Sequence, residues 1–235
     1  MRDTDFFCDL GETDTRQFES MKVTKAYTKD STIFMEGQPS KGVYLLCQGK
    51  VKLSTCSPDG KIIIVGIAEG GEILGLSAAL DGHEYETTAQ TLELCQVNYV
   101  PTAEFISFLQ TNPEACLSAA RQLSRNYHTA FKQVCALGLS ESVADKLAKL
   151  FLAWSRKHNG NGNGNGTNAA VHMKNFFTHE EIAEMIGTSR ETVTRVLRYF
   201  RENEIVTLKG SNLVIHDRQR LKSVVGTRGG FRSAM

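Results

Sequence analysis

The chain has 235 residues, 27 Lys plus Arg against 26 Asp plus Glu, 41% hydrophobic residues, 23% charged residues and 4 prolines. That is enough for one or two domains with cores of their own, and it excludes a disordered chain, a collagen-like repeat and a disulfide scaffold. No stretch approaches the roughly 20 apolar residues that span a bilayer, and the acidic start MRDTDFFCDLGETD has no apolar core of a signal peptide, so a cytoplasmic protein with no membrane partner is expected.

From Ile33 to Val100 the text reads as short β-type runs, STIFMEG, GVYLLCQG, KVKLSTC, KIIIVGIAEGGEI and LELCQVNYV, punctuated by glycine and by SPDG. Such spacing predicts an antiparallel barrel or sandwich. Six cysteines, Cys8, Cys47, Cys56, Cys95, Cys116 and Cys135, are scattered without a CxxC pair. Close-set ligands are the mark of metal and iron-sulfur sites, so no metal site is expected. Cys47 and Cys95 sit inside apolar runs and read as small core residues, while Cys8 and Cys56 sit in polar surroundings where a redox role stays open.

After Pro101 the texture changes. Asn112-Pro113 opens a long proline-free segment in which Leu117, Ala120, Leu123, Tyr127, Phe131, Val134 and Leu137 recur every three or four residues, predicting a helix of about six turns or more. Periodicity leaves two uses open for this stripe: packing on the β domain of the same chain, or a coiled-coil-like seam between two chains. The tract HNGNGNGNGTN that follows cannot bury apolar surface and predicts a loose loop at 159–168.

The run THEEIAEMIGTSRETVTRVLRYF, residues 178–200, carries two helix-start signals, Thr178 with Glu181 and Thr188 with Glu191. Two short helices about a glycine, Gly187, with Ile182, Ile186, Val193 and Val196 inward, fit a helix-turn-helix. The outward side of the second helix then carries Ser189, Arg190, Glu191, Thr194, Arg195 and Arg198. Arg donates two hydrogen bonds to a guanine edge, Glu accepts from cytosine N4, and Ser or Thr suits phosphate oxygens. EIVTLKGSNLVIHD downstream reads as a wing hairpin about Lys209-Gly210-Ser211. The charge agrees: residues 1–170 hold 16 basic and 19 acidic side chains (net −3), and residues 171–235 hold 11 basic and 7 acidic (net +4). His179-Glu180 begins like a zinc-protease HExxH, but Ala183 stands where the second ligand belongs; with no P-loop and no GxSxG, an enzyme is not expected. The alternative is a nucleotide-sensing binding module whose C-terminal unit makes protein contacts.

GVYLLCQGKVKL, GEILGL and TSRETVTRVLRYF, in that order, resemble the Crp/Fnr superfamily of bacterial transcription regulators, from about Phe18 to Leu221. The resemblance implies an α+β chain: a cyclic-nucleotide-binding-type antiparallel β jelly roll at 1–110, a dimerisation helix at 111–138 and a winged helix-turn-helix at 139–235. It implies a homodimer joined through Leu117, Ala120, Leu123, Tyr127, Phe131 and Val134. Double-stranded DNA would be the partner, with RNA polymerase beside it, in activation or repression. SRETVTR is similar to the cyclic-AMP receptor branch, so Arg190, Glu191 and Arg195 are expected to read a TGTGA-like half-site in an inverted repeat. By matching position Thr178, Ser189, Thr192, Lys209 and Ser211 are expected to touch the DNA backbone.

The effector region departs from that branch. In GEILGLSAALDGHEYETTAQ, Leu76 stands where the ribose-binding glutamate is expected, and Thr87-Thr88 replace the Arg-Ser pair that holds the cyclic phosphate. Two hydroxyls do not replace a bidentate charged contact, so cyclic AMP in the usual pose is disfavoured. Without clustered N-terminal cysteines an FNR-type iron-sulfur cluster is disfavoured too. Three forms of control stay open: another small-molecule effector, for which Leu76, Thr87, Thr88, Tyr127 and Phe131 are the candidate contacts, a redox-active cysteine, or no ligand.

Overall fold

The computed structural model describes residues 12–139, 142–159, 170–174, 177–210 and 212–225. The chain divides into two compact units, Met1–Phe131 and Lys132–Met235.

The first unit runs α1 (Glu12–Met21), β1 (Val23–Tyr27), β2 (Thr32–Phe34), β3 (Gly42–Gln48), β4 (Lys50–Cys56), β5 (Ile62–Glu69), β6 (Ile73–Leu74), α2 (Leu76–Asp81), β7 (Thr88–Thr91), β8 (Cys95–Pro101) and α3 (Thr102–Thr111), then enters α4 (Pro113–Leu139). Its strands form two four-stranded sheets, β1-β8-β3-β6 and β2-β7-β4-β5, with every pair antiparallel. This is the jelly-roll arrangement of two facing sheets. β3 shows why its sequence is apolar throughout. Val43 and Leu45 pack with Phe18, Phe105, Phe108 and Ala115 of the helices, whereas Leu46 packs with Val51, Ala68 and Val97 between the sheets. A strand covered on both faces reads as a continuous apolar run.

Cys47 breaks that run. The expected core cysteine is exposed, and the β3–β8 register shifts between Leu46 and Gln48. A bulge of this kind re-aims the side chain at the point where the strand leaves the core. Cys95 is buried, and its burial raises the thiol pKa. Cys56 is exposed on the last residue of β4, and Cys8 lies outside the described residues.

At the start of α2, Gly75 holds φ 72°, and a Cβ there would meet the Tyr85 ring at 2.6 Å. Glycine is required twice over, by the left-handed backbone and by the ring. Tyr85 in turn stacks on Phe34 with centroids 4.1 Å apart and donates its hydroxyl to the Gly42 carbonyl at 2.7 Å.

The second unit contains α5 (Val143–Asn159), β9 (Val171–Lys174), α6 (His179–Ile186), α7 (Arg190–Glu202), β10 (Val206–Lys209), β11 (Asn212–Ile215) and α8 (Arg218–Val224). Its core joins Ala144, Leu147, Ala148, Phe151 and Leu152, the i, i+3, i+4, i+7, i+8 face of α5, to Ile182, Val193, Phe200, Leu213 and Leu221. The sheet order β10-β11-β9 adds a third strand to the expected wing hairpin. Residues 160–169 of the Asn-Gly tract lie outside the described residues, and Asn159 closes α5. Among the described residues no helix is long and apolar enough to cross a membrane.

Candidate nucleic-acid interface

The helix-turn-helix is built from α6, a three-residue link and α7. Thr178 caps α6: its hydroxyl accepts from the Glu181 N–H, and the Glu181 carboxylate accepts from the Thr178 N–H at 2.9 Å, a complete capping box. Gly187 ends the helix at φ 64°, with its own N–H and that of Thr188 both bonded to the Ala183 carbonyl. Thr188 does not cap α7 as the sequence spacing suggested. Ser189 does, its hydroxyl accepting from the Thr192 N–H at 3.3 Å. The second helix starts one residue later than a Thr188 cap would put it.

On α7 the buried residues are Val193, Val196, Leu197 and Phe200. Arg190, Glu191, Thr194, Arg195 and Arg198 are exposed on the opposite side. The helix therefore offers two guanidinium groups and a carboxylate in its first turns, with Arg198 a turn further on. The Glu191 carboxyl is held below the ordinary carboxylate range by its own backbone N–H and by the Ser189 hydroxyl. Thr192 is half-buried, its hydroxyl 3.1 Å from that of Ser189.

Two further residues of this unit were missed by sequence reasoning. His179, the first residue of α6, places Nδ1 2.9 Å from the Thr194 hydroxyl, joining the two helices beside the outward face. Lys174 ends β9 opposite Asn212, which in turn pairs with Lys209. Lys174 and Lys209 are exposed, two strand spacings apart, about 9.6 Å, across one row of the sheet. The signal for β9 was the alternation Val171, Met173 against His172, Lys174, which is too short to stand out beside the Asn-Gly tract. Ser211 lies outside the described residues.

The other candidate residues are dispersed. Leu76 is buried at the start of α2 among Phe18, Val43, Ile73 and Ala79, so it is a core residue and not an effector contact. An aliphatic side chain at this position gains by entering that core. Thr88 lies on β7, and its hydroxyl accepts from the Glu36 N–H at 3.1 Å; Thr87 precedes the strand and is half-buried. On α4 the side turned to the β domain is Ala115, Ser118, Ala119 and Gln122. Leu123 packs partly on the same core, so its place in the exposed stripe is corrected. The 3.5-residue repeat running from Leu117 and Ala120 passes through Ser124 instead. Leu117 (45% exposed), Tyr127 (67%), Phe131 (55%) and Val134 (67%) remain uncovered in the single chain, as does Ala120, and the Tyr127 and Phe131 rings stack at 6.2 Å. Leu137 lies 3.2 Å from where a Cβ on Gly187 would stand, packed on the turn of the helix-turn-helix.

Comparison with known proteins gives both units relatives. Residues 24–112 match the cyclic nucleotide-binding domain family, and residues 145–224 match the Crp-like helix-turn-helix domain family. The CRP-like cAMP-activated global transcriptional regulator of Mycobacterium tuberculosis is 26% identical over 195 residues, covering 83% of this chain and 84% of the relative. The cAMP-activated global transcriptional regulator CRP of Haemophilus influenzae is 24% identical over 194 residues, covering 81% and 82%. In solved structures the fold recurs in the c-di-GMP responsive global regulator CLP of Xanthomonas campestris, with TM-score 0.74 and 17% identity over 88% of this chain and all of that one. It recurs in CooA of Carboxydothermus hydrogenoformans, with TM-score 0.74 and 20% identity over 95% and 96%.

Proposed function

The chain belongs to the Crp/Fnr superfamily of transcription regulators, and from that premise we propose that it works in the cytoplasm as a homodimer on an inverted repeat of TGTGA-like half-sites. One observation carries the reading: a capped helix presents Arg190, Glu191 and Arg195 together, exposed, on the side opposite its buried Val193 and Val196. Arg pairs with guanine N7 and O6, and Glu accepts from cytosine N4. Lys174 and Lys209 in the wing, with Thr178 and Ser189 at the helix starts, would hold phosphates and fix the register. RNA polymerase is the further partner.

The homodimer reading is supported by the uncovered Leu117, Tyr127, Phe131 and Val134, a stripe at coiled-coil spacing that its own β domain does not use. Two recognition helices must fall in successive major grooves about 34 Å apart, so the way the two copies of α4 meet would set affinity. A signal at the β domain would act by binding one geometry better than the other.

The signal we propose is not cyclic AMP in the pose of the cAMP-activated relatives. Leu76 is committed to the core, and the Thr88 hydroxyl is already an acceptor for a backbone N–H, so neither position supplies a cation to a cyclic phosphate. The test is selection of bound sites from random DNA, with and without candidate effectors and reductant. The expected product is an inverted repeat with TGTGA-like halves. A monomer by light scattering at micromolar concentration that still selects such a site overturns the homodimer.

A further inference from the structure

Thr194 stands on the exposed side of α7 between Arg190 and Arg195, yet its hydroxyl makes two hydrogen bonds inside the protein, which use its proton and one of its two lone pairs. It donates its one proton to the Arg190 carbonyl at 2.9 Å. Its oxygen therefore accepts from His179 Nδ1, also at 2.9 Å, which makes Nδ1 the protonated nitrogen of that ring. A threonine that bonds back to the carbonyl four residues earlier has a fixed side-chain rotamer. With its proton spent and its oxygen turned toward Arg190 and His179, the hydroxyl can no longer donate to a ligand, and the methyl is the apolar group that Thr194 offers.

We propose that His179 is a specificity-positioning residue: by holding the Thr194 hydroxyl within the protein, it offers the Thr194 methyl to a base pair, where that methyl selects thymine. Apolar contact with the C5-methyl is how a threonine methyl tells thymine from the other bases in the major groove. A hydroxyl free to rotate would instead donate or accept and so tolerate several bases. The bond to α6 adds the geometric constraint, since His179 is the first residue of a helix whose own start is fixed by the Thr178–Glu181 box. The inference rests on α7 being the DNA-reading helix.

The experiment uses the full-length protein and the site it selects from random DNA. At each thymine of the half-site, deoxyuridine, which lacks only the methyl, is substituted and affinity is measured. The wild type is expected to lose at least about fivefold at one position. Thr194→Val, which keeps the methyl, should lose as much there, and Thr194→Ser, which keeps only the hydroxyl, should be indifferent. His179→Gln retains a donor and should keep the thymine preference, whereas His179→Phe and His179→Ala should lose it while still binding the rest of the site. Preference retained by Thr194→Ser and lost by Thr194→Val overturns the methyl reading. Unchanged preference in both His179→Phe and His179→Ala overturns the role of His179. A wild type that selects no site overturns the DNA reading itself and this inference with it, a result distinct from a selected site insensitive to deoxyuridine, which overturns the inference alone.

Discussion

The side chain of Gln122 satisfies both backbone groups of Ile73. Its Oε1 accepts from the Ile73 N–H at 2.9 Å, and its Nε2 donates to the Ile73 carbonyl at 2.6 Å. Ile73 lies on β6, the edge of the sheet β1-β8-β3-β6, and Gln122 lies on the buried side of α4. One amide thus does the work of a further strand, covering an edge that would otherwise hold two unpaired groups away from water.

Gln122→Leu is expected to destabilise the protein by about 2 kcal/mol or more, since it leaves a buried donor and a buried acceptor unsatisfied. Urea unfolding measures it. A loss below about 0.5 kcal/mol would mean that water reaches Ile73 and the edge is open.

The exposed stripe of α4 gives a second prediction. Tyr127→Glu with Phe131→Glu sets four carboxylates facing each other across the proposed seam and removes its aromatic surface. Both residues are exposed in the single chain, so the fold should persist by circular dichroism. Sedimentation should show a monomer, and binding to the inverted repeat should fall at least about 100-fold, because the second half-site no longer engages at high effective concentration. A dimer that survives both substitutions places the seam elsewhere.

Much of this surface was legible in the sequence because its signals are local. The Thr178–Glu181 box, Gly187 and the inward Val193 and Val196 lie within twenty residues, and each acts on its neighbours. What was missed depends on distance or on where one helix ends and the next begins. Leu123 and Ser124 exchange roles because only the folded β domain shows which face of α4 it takes. Thr188 falls in the link that closes α6 and the cap belongs to Ser189, and Lys174 counts only once β9 pairs with a strand about forty residues away. Leu76 was legible as a departure from the family pattern, but not as a core residue, since its partners Phe18 and Val43 come from other elements.

Backbone and base contacts separate by salt. Lys174→Ala and Lys209→Ala should each weaken binding to the selected site and to random DNA by the same factor, and lower the slope of log affinity against log salt by about 1. Arg195→Ala should cost roughly 1–3 kcal/mol on the selected site and relax preference at one base pair. Equal loss on random DNA would make Arg195 a phosphate contact.

Glu191 sets a pH dependence with a definite sign. Its carboxyl is held below the ordinary value of 4.5, chiefly by its own backbone N–H and the Ser189 hydroxyl at the start of α7. A group whose pKa is depressed by folding contributes stability above its unfolded value, and that contribution is lost as pH falls through the folded value. The anion also sits at a helix N-terminus, where negative charge is favoured. Glu191→Gln should therefore lower the thermal midpoint at pH 7, by an amount unchanged between pH 6 and 8. Below pH 4.5 the difference from wild type should narrow and then close, because the wild-type carboxyl becomes neutral too. A difference that persists undiminished at pH 3 would show that Gln is worse there for its shape and not for its missing charge, and the charge contribution of the carboxylate would fall.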